Sequence, residues 1–512
     1  MSDIPMNLGT VSETRKWLGF AGLCIAMFMA VLDIQIVITS LSVIEEALGI
    51  GADRMSWIQT SYLIAEIITI PLTGLLMRVL SLKRLVLIAI TVFTAASIGC
   101  ALSTSFAQLV TFRTFQGMGA GILIPTMFSA VFLLFRPGQE QALATVMGGI
   151  LAVIAPTMGP VTGGLITETL SWHWLFLINV APCFIAAVLV FACFPREPIK
   201  LGLLKQLDVA SLIFLAVSLA ALEIGLKEAP DQGWLSPLSL ALFGTFAGLT
   251  WLMVIRPAPV VDFSLLKDRY LAYGCGLSFI LGIGLIGSVY LLPVFLALVG
   301  YMGPLEIGII ILVTGIAQLV SAPLSVVLDR LLPPRLLAMI GFGVFAAGLA
   351  MSGFETSESG YDELFWAQVV RGLALGFCIV PVTRFALGFL PVEKVSDASG
   401  LYNLSRALGG VIGIALIDTL LFTRSAEHAD RITSMMTADP AAAASLLRIT
   451  PDELPDPEDP TGLLGIMDTV QETAVTLAVN EAWLMMGALT ALALILLWRL
   501  GPIREEPGAG MN

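Results

Sequence analysis

Charge is scarce in this chain. Only 12% of its 512 residues are Asp, Glu, Lys or Arg, where a soluble globular chain carries about 25%. Histidine occurs twice, at His173 and His428. Two such isolated residues do not build a metal centre or a histidine proton relay, and solvated or interfacial positions are expected for both. The six cysteines (24, 100, 183, 193, 275 and 378) form no C-x-x-C pair. That argues against zinc and against a disulfide framework, and leaves them as small apolar packing residues. No G-x-S-x-G, H-E-x-x-H or phosphate-loop lysine motif occurs, so hydrolase chemistry and ATP binding are not indicated. No cofactor and no metal is expected. The net charge is −12 with no basic domain, so nucleic acid is not an expected partner either.

Apolar sequence fills the space left by charge. The chain is 57% hydrophobic, its mean hydropathy is +0.93, and runs near or above ~18 apolar residues recur along it, the signature of membrane helices. An all-α integral membrane protein follows, with lipid as its surroundings. Fourteen candidate spans are read at 18–40, 57–78, 83–102, 107–134, 142–167, 173–194, 208–226, 237–255, 270–298, 304–328, 335–354, 364–388, 396–421 and 477–500. The first is read as a retained span, because no convincing small-x-small cleavage site follows it. Most of the 26 Lys and Arg residues fall on one set of connections if the N-terminus is inside. Both termini are therefore expected in the cytoplasm. Trp57, Trp172, Trp174, Trp366 and Trp498 lie near span ends, where an aromatic belt forms. The long connection at 425–475 contains "DELPDPEDPTG". It reads as a solvated tip in which "AAAASLLR" is a candidate short helix.

An internal repeat is visible. "PLTGLLMRVLSLKR" at 71–84 returns as "PLSVVLDRLLPPR" at 323–335, and "RTFQG" at 113–117 returns as "QVVRG" at 368–372. The spacing fits two six-helix halves, 18–194 and 270–500, with two inserted helices at 208–255, a cytoplasmic N-terminus at 1–17 and a cytoplasmic tail at 501–512. Repeated halves around a midplane site are a common build of secondary transporters.

Ionisable groups inside spans are costly and usually face a cavity. Asp33 in the first span and Glu66 in the second are candidate proton carriers, because a partly buried carboxylate titrates nearer the pH where protons load and leave. Packing carboxylates, hydrogen-bonded to a neighbouring helix, are the plainer alternative. Asp418 is a weaker case near a span end. Arg113 keeps its proton, so it tunes a carboxylate or organises helices with Gln116. Gln368 and Arg371 present the same two groups in swapped order in the second half. Gln35, Asn403 and Arg406 are candidate cavity or helix-organising residues, and Arg384 is near enough to a span end to snorkel. The stretch "APTMGPVTGG" at 155–164 concentrates helix breakers in mid-span. Gly159 and Gly163 give a small-xxx-small face for close approach, with Gly164 beside it. Pro156 and Pro160 each remove a donor and can bend the helix. The stretch reads as a hinge and seal.

Five segments in order resemble the major facilitator superfamily, and within it the fourteen-span drug:proton antiporters of the EmrB/QacA type. They are "LDIQIVITSL" at 32–41, with Gln35 where the family has Thr; "RTFQGMGAG" at 113–121; "APTMGPVTGG"; "WHWLFLINVAP" at 172–182; and the late pieces "LYNLSRALGGVIGIAL" at 401–416 with "VNEAW" at 479–483. The resemblance implies the major facilitator fold in a bacterial inner membrane and antiport of protons against hydrophobic or amphipathic toxic compounds. It implies coupling through Asp33, Glu66 and Arg113, and export as the direction. In that branch a periplasmic adaptor and an outer-membrane channel complete the route. The loop after the second span departs from the family's G-x-L-A-D-R-x-G-R-R. Around Gly74, Arg78, Lys83 and Arg84 the Asp is replaced by Arg78 and a Gly by Ser81, so the family's Asp-centred gating does not carry over. Asp329 is a substitute candidate. Three other readings stand beside this one: a proton-linked exporter of one metabolite or siderophore, a non-transporting membrane sensor or adaptor, and a membrane enzyme. The last lacks any cluster of catalytic side chains.

Overall fold

The structure is a computed structural model and describes residues 12–135, 139–195, 198–200, 202, 208–256, 263–388, 390, 392–450, 453–455 and 460–501. The elements in order are α1 (Glu13–Ile36), α2 (Leu41–Leu48), α3 (Ala52–Met55), α4 (Trp57–Thr69), α5 (Thr73–Leu80), α6 (Leu82–Ala101), α7 (Phe106–Leu134), α8 (Gln139–Thr169), α9 (Trp174–Leu177) and α10 (Val180–Cys193). There follow α11 (Val209–Gln232), α12 (Pro237–Val254), α13 (Arg269–Leu298), α14 (Pro304–Leu331), α15 (Pro334–Met351), α16 (Tyr361–Leu387), α17 (Val392–Ala438), α18 (Pro440–Leu447) and α19 (Pro460–Leu500). No strand occurs among the described residues. Hydrocarbon offers the backbone no partners, so each segment satisfies its own. The ends are fixed locally. Asp208, Ser236 and Asp268 cap α11, α12 and α13 by accepting backbone N–H bonds. Glu306 and Glu363 reach back to the N–H of Gly303 and Gly360 at the starts of α14 and α16.

Thirteen stretches among the described residues are long and apolar enough to cross a membrane. α7, whose 29 residues reach ~43 Å, is long enough to cross as well. Exposed Ile88, Phe184, Phe191, Trp251, Trp366 and Trp498 face outward, as lipid requires. All six cysteines are free and buried, in keeping with a packing role.

The repeat is legible in atoms. Gly117 of α7 lies so close to α4 that an added Cβ would stand 2.2 Å from the Tyr62 carbonyl, and Gly372 of α16 stands likewise 2.3 Å from the Thr314 carbonyl of α14. Thr73 donates to the Gly121 carbonyl at 3.2 Å and Ser325 to the Gly376 carbonyl at 2.8 Å. Arg113 Nε donates to the Ile58 carbonyl at 3.1 Å, and Gln368 Nε2 to the Ile310 carbonyl at 2.6 Å. Four cations close the helix ends on the face that carries Glu13 and Leu500. Arg15 donates to Ala192 and Lys83 to Phe191 and Phe194, capping α10. Arg269 donates to Arg499 and Leu500, and Arg335 to Leu497 and Trp498, capping α19. Cations on terminal carbonyls complement the helix dipole. This end is called the terminal face below.

The opposite, loop face departs from expectation. α17 and α19 have 47 and 41 residues, ~70 and ~60 Å, against a ~30 Å hydrocarbon core. They run on as a helical hairpin closed by α18, which covers the expected "AAAASLLR" helix. Ile432 and Met436 pack with Ala443, Leu447, Ile466, Val470 and Ala474 in a small separate core. The hairpin therefore replaces the expected solvated tip with packed helices, although 451–452 and 456–459 of "DELPDPEDPTG" lie outside the described residues. Glu481 receives Arg424 at 2.6 and 2.9 Å and bonds His428 at 3.0 Å. His428 is thus buried against a carboxylate rather than solvated. His173 stacks on Trp172 at 3.8 Å. α11 and α12 pack together, and α11 lies against α17 and α4.

Candidate functional site

Asp33 is 0% exposed and every contact it makes comes from another helix. Its Oδ2 accepts from Arg113 Nη1 at 2.5 Å. Its Oδ1 accepts from Gln116 Nε2 at 2.8 Å and from Asn179 Nδ2 at 2.6 Å. Arg113 is also 0% exposed. It donates to Gln116 Oε1 at 2.9 Å and lies over the Tyr62 ring at 4.4 Å. Ser97 Oγ accepts from Gln116 at 2.8 Å and Asn179 at 3.3 Å. A buried ion pair is tolerated when its remaining donors and acceptors are filled; here they are. The network ties α1, α4, α6, α7 and the start of α10 together.

Glu66 has a different setting. It is half-buried at the end of α4, and Arg406 of α17, in the other half, is the opposite charge acting on it. Arg406 is itself half-buried and donates to Asn403 Oδ1, while Asn403 Nδ2 donates to the Ser399 carbonyl at 2.9 Å. The two charges interact across the junction of the halves without a direct ion pair between them.

α8 joins the halves. It stays helical through Pro156 and Pro160. Thr39 Oγ1 donates to the Pro160 carbonyl at 3.4 Å. A Cβ on Gly159 would lie 2.5 Å from Gln35 Cβ, and one on Gly163 2.1 Å from the Ile36 carbonyl. Both glycines therefore seat α8 on α1, within the first half. Gly164 points the other way, with its added Cβ 2.3 Å from the Pro304 carbonyl of α14. From the partner side, Gly308 meets Pro160 at 2.5 Å and Gly315 meets Thr157 at 2.5 Å. Glu168 Oε1 also accepts from Leu305 N–H at 3.0 Å, capping α14 across the junction.

The second half does not copy the first. Gln368 occupies the place of Arg113 and also accepts from Thr314 at 2.7 Å. Arg371, in the place of Gln116, lies 4.5 Å over the Trp483 ring. Near the terminal face Gly74 and Arg78 are exposed, Lys83 caps α10 as described, and Arg84 is half-buried with its Nη1 unpaired. Asp329 pairs with Arg384 at 2.7 Å, so Arg384 is held by an ion pair rather than snorkelling free. Several groups escaped the sequence reading. Asn179 and Ser97 join Asp33 only through the fold. Glu223 of α11 is 0% exposed and acts electrostatically on Tyr290, whose hydroxyl donates to Asp418 at 2.8 Å. The rule used for Asp33, that an acid inside a span marks a pathway, would have found Glu223.

A helical bundle of two related halves around such polar groups defines a membrane transporter, and the comparisons agree. The Major Facilitator Superfamily profile matches residues 23–414. The chain belongs to the major facilitator superfamily. It is 35% identical over 442 residues to the colistin resistance protein EmrB of Acinetobacter baumannii, covering 84% of this chain and 86% of that one. It is 30% identical over 422 residues to the multidrug export protein EmrB of Escherichia coli, covering 80% and 81%. Over 515 residues it is 26% identical to the probable multidrug resistance protein EmrY of Escherichia coli, covering 99% and 98%. Among solved structures, the nucleoside transporter NupG superposes with a TM-score of 0.60 at 13% identity, covering 94% of this chain and 100% of that one. That likeness concerns the fold alone.

Proposed function

We propose that the chain exports hydrophobic or amphipathic toxic compounds across a bacterial inner membrane in exchange for protons. The observation that carries this reading is the fully buried Asp33–Arg113 pair inside the span bundle, with Glu66 under the charge of Arg406 from the other half. α7 counts as the fourteenth span, the terminal face lies in the cytoplasm and the loop face lies outside. The halves are 18–194 and 270–500, with α11 and α12 inserted. In this reading the α8–α14 contact closes the outer end. Glu66 and Asp33 exchange protons, and Arg113, bonded to the Ile58 carbonyl, holds α7 against α4 as Asp33 changes charge. Gln35, on the same face as Gly159, and Asn403 with Arg406 line the substrate path. Gln368 organises α14 against α16. The outer hairpin is where a periplasmic adaptor leading to an outer-membrane channel would dock.

The test is everted vesicles carrying the protein, with a pH-sensitive dye. Added drug should release protons from the wild type, and Asp33→Asn or Glu66→Gln should abolish the release. Undiminished release in both variants would overturn the carboxylate assignment. Tight binding of one metabolite and of no drug would convert the reading to a single-substrate carrier.

A further inference from the structure

Glu355 lies just past α15, after the 3-10 turn Ser352–Phe354, where its sequence context "SGFETSES" reads as an ordinary loop. Its backbone is clamped by Asn480 of α19, which accepts from Glu355 N–H at 3.0 Å and donates to its carbonyl at 2.8 Å. The side chain is turned inward, leaving the residue 8% exposed. Arg371, 2% exposed, is the cation acting on it, and the Ser352 hydroxyl and Trp483 indole are its polar neighbours. No hydrogen bond of ordinary length and angle reaches either Glu355 carboxylate oxygen, Arg371 Nε or Nη2, Ser352 Oγ or Trp483 Nε1, although Ser352 and Trp483 stand near enough to draw the carboxyl down. Six loosely held polar atoms converge on one place. Each would cost about 1–3 kcal/mol if left dry, more for the charged ones.

A pocket of about 360 Å³ opens above them on the loop face, lined by Ser352, Glu355, Glu358, Glu363 and Arg448 among others. One water needs only ~10–15 Å³ of such space, so the pocket holds solvent against Glu355, whose carboxylate oxygens lie just beneath its wall. The other charges are engaged. Arg448 holds Glu358 at 3.2 Å, and Glu363 accepts from Gly360 N–H at 3.0 Å. Burial pushes the Glu355 carboxyl up to about 8, against the lowering pull of Arg371. The contrast with Asp33 is instructive. There the carboxylate has three direct donors and no exposed surface.

We propose that Glu355, set between the loop-face pocket and Arg371, is a second proton-binding site, through which the second half of the carrier takes up a proton from the outer solution. The inference rests on the proton-coupled reading above. A proton arriving through the pocket neutralises Glu355 and leaves Arg371 uncompensated on α16; release restores the pair.

The experiment uses the full chain in proteoliposomes with ethidium as the transported cation and an imposed pH gradient. Gradient-driven ethidium accumulation by Glu355→Gln should fall at least about tenfold, a coupling of ~1.4 kcal/mol, while counterflow without a gradient is kept. The dependence on external pH, falling as pH rises through about 8 in the wild type, should flatten. No gradient dependence in the wild type overturns the proton-coupled reading itself and this site with it. A coupled wild type with a fully coupled Glu355→Gln overturns the Glu355 site alone. Should Glu355→Gln lose counterflow as well, Glu355→Asp decides. Its carboxylate is one methylene shorter, so its external-pH midpoint must move, and an unmoved midpoint refutes the site.

Discussion

Gly163 and Gly164 are adjacent on α8, and the structure assigns them opposite consequences. An alanine methyl at Gly164 would stand 2.3 Å from the Pro304 carbonyl and 2.5 Å from Leu305 Cα. Those atoms are backbone of α14 and cannot rotate away, so the halves must separate by roughly 1 Å to restore ordinary contact. Overpacking of this kind costs about 1–3 kcal/mol. Gly164→Ala charges that cost only to the state in which α8 and α14 are closed. An equilibrium shift of about 5- to 150-fold follows toward the state open at the loop face. At Gly163 the same methyl would lie 2.1 Å from the Ile36 carbonyl, inside the first half. That contact is carried through both states, so Gly163→Ala should lower thermal stability without shifting the equilibrium. The assay is thiol accessibility. Ile38 is 4% exposed and lies beside Pro293 and Val294 of the other half, and the native cysteines are buried. An Ile38→Cys reporter should react faster with a membrane-impermeant maleimide in Gly164→Ala, and at the wild-type rate in Gly163→Ala. Equal rates in all three proteins would refute the assignment of the two faces.

Two further predictions follow from the same geometry. Asp33→Asn leaves a fully buried guanidinium uncompensated, a loss of about 3–5 kcal/mol, whereas Asp33→Asn with Arg113→Gln removes both charges. The double variant should melt well above the sum of the single losses in detergent, and additive losses would show that the pair is not coupled. Ser81 has φ 70° and ψ 159°, a region open essentially to glycine and costing about 1–3 kcal/mol otherwise. Ser81→Gly should therefore raise the melting temperature, by a net of about 1 kcal/mol after glycine's entropy cost. An unchanged or lower melting temperature would remove strain from the account of that turn.

Much of this was legible in the sequence for physical reasons. Membrane spans announce themselves by composition, because hydrocarbon tolerates little else. Arg113 and Gln116 are one turn apart, and a nearby acid was a natural expectation for a guanidinium in a span. The glycines of α8 signalled close approach, though their spacing could not say which neighbour each one meets. The sequence also could not bring Asn179 to Asp33 across 146 positions, since that contact is made by the packing of α1 against α10. It marked 425–475 as a polar connection through its prolines and acids. The amphipathic stripes that build the hairpin core were hidden, because each is short and only together do they bury anything.

The swap of Arg and Gln between the halves carries the deepest consequence. The repeat fixes two equivalent sites on α7 and α16, each one turn apart, and each half places a guanidinium at only one of them. In the first half the arginine takes the site that reaches the Ile58 carbonyl and meets an acid on α1, in dry packing. In the second half a glutamine reaches the matching Ile310 carbonyl, so the arginine stands one turn along. Its acid comes not from α13, where no carboxylate faces it, but from Glu355 at the edge of the loop face. The two pairs share chemistry and differ in water. A saturated pair forfeits three hydrogen bonds at once when it is broken. A loosely held pair forfeits few, and the pocket that adjoins it can bring the proton close. An unequal pair of sites therefore gives a pseudo-symmetric carrier one tightly held half-site and one loosely held half-site, an asymmetry that the two variants would measure, Glu355→Gln as a loss of coupling alone and Asp33→Asn as a loss of coupling and stability together.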